Sequence, residues 1–179
     1  MVEARNTEPV STIGHSTHAI DHFIAMLKAH SIAELVDIRT IPRSRHNPQF
    51  NRDCLPASLE AAGIAYRHMP ALGGLRHARP GFVNTGWRNA SFRGYADYMQ
   101  TEEFKDALEE LIGIAREERL AIMCAEAVEW RCHRSLVADA LEVRGVPVEH
   151  IQSATRAKRH RMTPFAQVNG TEIVYREQE

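Results

Sequence analysis

No apolar run in the sequence approaches the roughly 20 residues that a membrane-spanning helix requires, so no segment is a candidate to cross a bilayer. The polar stretch from Met1 to Glu8 lacks the apolar core of a secretory leader, and a cytoplasmic location is the expectation. Cysteine is scarce: three residues, an odd number, suit reduced thiols better than a disulfide framework. Charge of either sign is not in excess, since 22 Lys and Arg against 23 Asp and Glu leave a net charge of −1 with histidine neutral. The chain as a whole therefore has no field to draw it to a membrane surface, and any affinity for nucleic acid must come from local patches. Repeated glycines are missing from the Gly14-His15-Ser16 turn, so it is not a glycine-rich phosphate loop and no nucleotide cofactor is predicted. Short, regular Cys/His spacings are missing too, and no metal ligands are assigned.

What is present belongs to an ordinary globular protein. With 179 residues, 44% of them hydrophobic and 25% charged, the chain suits one domain over 1–179, with a core at about 10–151 and a basic tail at about 152–179. A domain of this size buries about two thirds of the surface its unfolded chain exposes. No internal repeat or linker interrupts it.

The pattern alternates strands and helices. Val10 to Gly14 reads as a strand, and Asp21 to His30 as a helix carrying Phe23, Met26 and Leu27 on one face. Glu34 to Arg39 is a second strand that empties at Pro42 into a polar loop, Thr40 to Asp53. Leu55 to Ala62 is a helix closed by Gly63, followed by a strand from Ile64 to Met69. Leu72 to Asn89, with Gly73, Gly74, Pro80, Gly81 and Gly86, reads as a long loop. Thr101 is a natural N-cap for the amphipathic helix through Phe104, Ala107, Leu108, Leu111, Ile112 and Ala115. The continuous apolar run Leu120 to Ala125 suits a central parallel strand covered on both faces. A helix through Leu136 and Leu141 stops near Gly145, Val146 to Ile151 is a further strand, and Arg156 to Arg161 is a basic, exposed tail.

Such alternation implies an α/β fold in three layers: a mainly parallel, open sheet of about five strands with helices on both faces. Ligands of open sheets collect beyond the carboxyl ends of the strands. Polar residues follow three of those ends here, at His15-Ser16, at Asp37 to Arg39 and at Cys124 to Arg134.

Cys124 at a strand end and Cys132 at a helix start would meet backbone N–H groups and cationic neighbours, which favour the thiolate. Both would equally serve as small buried residues. Glu126 directly after a buried strand is costly unless paired or used, so it is a base, a nucleophile or one half of an ion pair with Arg39, Arg131 or Arg134. His15 and His133 suit proton transfer near neutral pH. Arg39, Arg43, Arg93 and Arg134 suit anionic oxygens, with Ser16, Asp37, Ser44, Tyr95 and Cys132 beside them as substrate-binding candidates. Phe50, in the arginine-rich loop, offers a ring on which a base could stack.

Thr12-Ile13-Gly14-His15-Ser16, Val36-Asp37-Ile38-Arg39, Pro42-Arg43-Ser44, Leu72-Gly73-Gly74, Phe92-Arg93-Gly94-Tyr95, Cys124-Ala125-Glu126 and Cys132-His133-Arg134 together resemble the domain of unknown function 488 family, over about Val10 to Ile151. The resemblance implies a compact α/β domain in which these segments gather at one site. It implies no reaction, because function resides in sites and not in folds.

Three function classes follow from the residues. The first is an enzyme, a hydrolase or transferase, acting on a phosphate-bearing nucleotide or nucleic-acid substrate, with Cys124, Glu126, His133 and His15 as its catalytic groups. The second is a non-catalytic module that binds a nucleotide or nucleic acid, or another anionic small molecule, through its arginine loops. The third is a protein that holds a transition metal on His15, His18, Cys124, Cys132 and His133.

Overall fold

A computed structural model of the protein describes residues 8–78 and 83–177. Pro80 and Gly81 of the long loop, and most of the polar stretch before Val10, lie outside the described residues.

The alternation of strands and helices becomes eight strands and five helices among the described residues: β1 Val10–Gly14, α1 Ile20–Ala29, β2 Glu34–Asp37, α2 Leu55–Ala61, β3 Ala65–His68, α3 Ala90–Tyr98, α4 Glu102–Glu117, β4 Leu120–Cys124, α5 Arg134–Glu142, β5 Val148–Ser153, β6 Arg156–Arg159, β7 Ala166–Asn169 and β8 Glu172–Tyr175. Six strands form one sheet in the order β3-β2-β4-β1-β5-β6. The first five run parallel and β6 returns antiparallel to β5.

The apolar run at β4 dictates its central place. All five residues are buried, and they divide by parity as a strand requires. Leu120 and Ile122 face one core with Leu136, Leu108 and Tyr95, beneath α3, α4 and α5. Ala121 and Met123 face a second core with Phe23, Leu27 and Leu59, beneath α1 and α2. Helices thus cover both faces of the sheet, the three-layer arrangement expected from the pattern. By the same parity Cys124 points toward the α5 side.

Periodicity also placed α4 correctly. Its buried residues are Phe104, Ala107, Leu108, Leu111 and Ile112, and the Thr101 hydroxyl accepts from the Phe104 N–H. By contrast α3 begins where the loop read over Leu72 to Asn89 ends, in a stretch to which the sequence pattern assigns no element. The Asn89 side chain caps it by accepting from the Ser91 and Phe92 N–H groups. Gly94 sits inside α3 because the backbone of Arg76 to Ala78 crosses there: a Cβ would stand 2.7 Å from the Ala78 nitrogen.

The carboxyl-terminal region departs furthest from expectation. The basic stretch Arg156–Arg159 is a sixth strand, mostly exposed and with cationic side chains that suit a sheet edge. Beyond it, β7 and β8 form a separate two-stranded sheet. Tyr175 is fully buried, with its ring against Trp87 and Phe165 and its hydroxyl donating to Asp139 at 2.8 Å. Asp139 also accepts from the Thr163 hydroxyl and bonds His160, whose other ring nitrogen meets His150, itself bonded to Thr12. This buried chain ties the carboxyl-terminal segment to α5, β5 and β1.

Candidate functional site

Beyond the carboxyl ends of β2 and β4, beside that of β1, the sheet opens into a pocket of about 440 Å³. Strand order makes this position expected: the chain leaves β1 toward α1 on one face and leaves β4 toward α5 on the other, so a crevice opens between these neighbours. Arg39, Arg43, Tyr95, Cys124, Glu126, Cys132 and His133 line the pocket, and so do Arg131 and Phe92. A smaller cavity of about 190 Å³ between α4, α5 and the β7–β8 hairpin contains no histidine or cysteine.

Cys124 closes β4 and Cys132 immediately precedes the last turn before α5. They are joined as a disulfide, with Cα atoms 7.2 Å apart. The expectation of three separate reduced thiols is corrected accordingly: two cysteines are paired at the pocket, and only the exposed Cys54 is free.

Arg134 serves both sulfurs. Its Nη1 donates to Cys124 Sγ at 3.3 Å and its backbone N–H to Cys132 Sγ at 3.5 Å. The side chain is 1% exposed, and its remaining bonds go to the carbonyls of Glu126 (3.1 Å) and Ala127 (3.2 Å). Among the described residues no carboxylate pairs with it, and Nε has no partner. Burial lowers its pKa to about 10, which leaves it charged at neutral pH. Glu129 and Glu126 support that charge only from a distance, without direct pairing, so the buried guanidinium favours an anion at its one non-carbonyl contact, the Cys124 sulfur.

His133 stands beside the other sulfur. Its Nε2 meets the Ile38 carbonyl at 3.1 Å; a carbonyl only accepts, so Nε2 carries the proton. Nδ1 then presents a lone pair to Cys132 Sγ at 3.5 Å. Burial pushes the pKa of His133 down to about 4, so the ring is neutral around pH 7. Tyr95 packs against it, ring centroids 5.0 Å apart, and spends its own hydroxyl on the Leu72 carbonyl.

Arg39 lines the pocket but is already engaged. It forms two bonds to Asp37 through Nε (2.9 Å) and Nη2 (2.7 Å), one to the Phe50 carbonyl and one to His15 Nε2 at 3.5 Å. Asp37 is fully buried and also accepts from Tyr66 at 2.6 Å. His15 is buried, donates from Nδ1 to the Ser16 carbonyl and stacks on Phe50 at 4.4 Å. Its pKa is lowered, first by burial and then by the Arg39 charge. Asp37, Arg39 and His15 thus form a rigid group beneath one wall of the pocket, with His15 and Asp37 behind the lining. Phe50 is fully buried against His15 and Phe23, so it offers no ring to a base.

The other candidates divide. Arg43 is exposed at the mouth, and Arg131 is exposed too, with its guanidinium 4.8 Å from the Trp130 ring. Glu126 is exposed at the rim, and it is its carbonyl, not its carboxylate, that Arg134 holds. The expected cost of burying this carboxylate does not arise, because the chain leaves the sheet directly after Cys124. Ser16 turns the chain at φ +47°, Ser44 accepts from the Asn47 N–H, and Arg93 lies half-buried on α3; none of the three lines the pocket. Phe92, a residue away from Arg93, does. The N-cap at Asn89 was the signal for it, since a helix starting there turns Phe92 and Tyr95 to one face.

Among the described residues no group of three or more His, Cys, Asp or Glu side chains is arranged to hold a metal ion, and no helix is long and apolar enough to cross a membrane. A family described as a domain of unknown function, DUF488, matches residues 19–141. That span is shorter at both ends than the resemblance read from the motifs; it takes in Cys124, Glu126, Cys132, His133 and Arg134 and begins after His15. No curated protein and no solved structure matches the chain.

Proposed function

The chain belongs to the DUF488 family of domains of unknown function, and from that premise we propose that it is a hydrolase or transferase using Cys124 as nucleophile on a phosphate-bearing substrate of nucleotide or nucleic-acid kind. One observation carries this reading: Cys124 Sγ lies 3.3 Å from a fully buried guanidinium that has no carboxylate partner, at the floor of an arginine-lined pocket. A cationic neighbour with no directly paired carboxylate holds a thiol in the reactive thiolate form.

The groups around it suit phosphoryl transfer. Arg43 and Arg131 both line the pocket and would neutralise non-bridging oxygens. The Cys124 thiolate attacks phosphorus, the S–P bond forms, and the P–O bond to the leaving group breaks. The departing oxygen takes a proton from solvent at the open mouth, where Glu126 can relay it. Water, or an acceptor hydroxyl, then attacks phosphorus, restoring the thiolate and releasing phosphate or the transferred product. Phe92 in the lining and Trp130, 60% exposed next to Arg131, provide aromatic faces for a base.

The test is turnover of p-nitrophenyl phosphate, mononucleotides and a 5′-phosphorylated oligonucleotide by reduced protein. Cys124→Ser should lower kcat by about a thousandfold or more, with substrate binding within a few-fold of the parent. Arg43→Ala combined with Arg131→Ala should instead weaken binding. Salt-sensitive binding without turnover of any substrate in the panel would replace the enzyme by the non-catalytic binding module.

A further inference from the structure

The two pocket sulfurs differ in their surroundings in a way that a single nucleophile does not require. Cys124 meets the side chain of a buried guanidinium, whereas Cys132 meets the backbone N–H that opens α5 and the lone pair of His133 Nδ1. One thiol is thereby favoured as the anion, and the other has a proton acceptor 3.5 Å away. Eight residues apart in sequence, they are brought sulfur to sulfur at a surface that solvent reaches through the pocket. Cys54, the third cysteine, is exposed on the α2 side and shares none of these contacts.

We infer that Cys124 and Cys132 form a redox modification site, in which a hydroperoxide converts the pair to a reversible disulfide and so withdraws Cys124 from use as a nucleophile. In the first step the Cys124 thiolate attacks the terminal oxygen of the hydroperoxide. The O–O bond breaks, the departing oxyanion takes a proton from solvent, and Cys124 becomes a sulfenic acid, oxidised by two electrons. Cys132 then passes its proton to His133 Nδ1 and attacks the sulfenic sulfur. The S–S bond forms, the S–O bond breaks, and the departing hydroxide recovers the proton from His133 as water. In sum, one hydroperoxide and two thiols give one alcohol or water, one disulfide and one further water. A dithiol reductant reverses the modification by exchange. The effect on turnover rests on Cys124 being the nucleophile proposed above; formation of the disulfide does not.

The experiment uses the full chain, reduced with dithiothreitol, freed of reductant, treated with one equivalent of hydrogen peroxide and quenched with N-ethylmaleimide. Peptide mass mapping should find Cys124 linked to Cys132, Cys54 alkylated, and both pocket thiols alkylated again after dithiothreitol. Cys132→Ser should leave a sulfenic acid on Cys124 that dimedone labels and the parent does not retain; if that variant is misfolded by circular dichroism, Cys132→Ala takes its place. Cys54→Ser should oxidise as the parent does. Two pocket thiols still alkylated after peroxide, or a disulfide that includes Cys54, overturns the inference. Turnover is followed in the same samples. A disulfide that lowers the rate at least tenfold, restored by reductant, supports both readings. A disulfide that leaves turnover intact overturns the nucleophile and keeps the redox pair, whereas turnover abolished by Cys124→Ser without any peroxide-induced disulfide does the reverse.

Discussion

Arg134 occupies an uncommon position for its type: fully buried, charged and surrounded by carbonyls and sulfur in place of carboxylates. Burying a lone cation costs several kcal/mol, and the three acceptor contacts recover only part of that. A thiolate at Cys124 would recover more, because it supplies the missing negative charge. The consequence is measurable in the thiol itself. Arg134→Met keeps much of the length and removes the charge, so the pH midpoint for alkylation of Cys124 by iodoacetamide should rise by about one unit or more. An unchanged midpoint would mean that Arg134 is only a cross-link between α5 and the 125–127 backbone.

At the scale of elements, the site depends on how closely β1, the segment after β4 and α5 approach one another. The ladder between β1 and β4 continues past the strand ends, with His15 N–H donating to the Cys124 carbonyl and Ser16 N–H to that of Ala125. This holds the Glu126 carbonyl directly over Gly14. A Cβ at Gly14 would overlap that carbonyl and stand 2.8 Å from Arg134 Nη1. Gly14→Ala must therefore move backbone, and the expected loss is about 3 kcal/mol, at the upper end for overpacking in a core. The midpoint of urea unfolding reads this directly. A midpoint equal to that of the parent would show that the 125–127 segment yields without cost.

At the scale of the molecule, two histidines are enclosed as neutral rings. Burial holds His133 near a pKa of about 4 and also pushes His150 down, the latter beneath α5 in the chain through His160 to Asp139. In the unfolded chain both titrate near 6.5. Below that pH the unfolded state binds protons that the folded state refuses, so the stability these rings contribute is complete above pH 6.5 and is lost as pH falls toward 4. Each should add about 1.4 kcal/mol per pH unit to the slope within that window. Urea unfolding at pH 7, 6 and 5 should show the decline, and His133→Gln should remove one such increment. A flat profile between pH 7 and 5 would contradict neutral burial.

Elements whose signal is local could be read from the chain before any fold was known. Alternation of strand and helix, the α4 stripe with its Thr101 cap, and the apolar β4 run each follow from side chains within one element, where spacing alone decides which face is buried. The position of the candidate pocket was legible for the same reason, since polar residues after strand ends must gather at one edge of a parallel sheet. How those residues are engaged depends on neighbours that the folded chain brings to them. Arg39 and Arg43 look alike along the chain, yet Arg39 is bound to Asp37, Phe50 and His15 while Arg43 faces the open pocket. The meeting of Cys124 with Cys132, the enclosure of Arg134 and the docking of Tyr175 on Asp139 likewise depend on partners that the fold brings from other elements. Periodicity reports a residue's own face; charge, protonation and reactivity are set by what lies across from it.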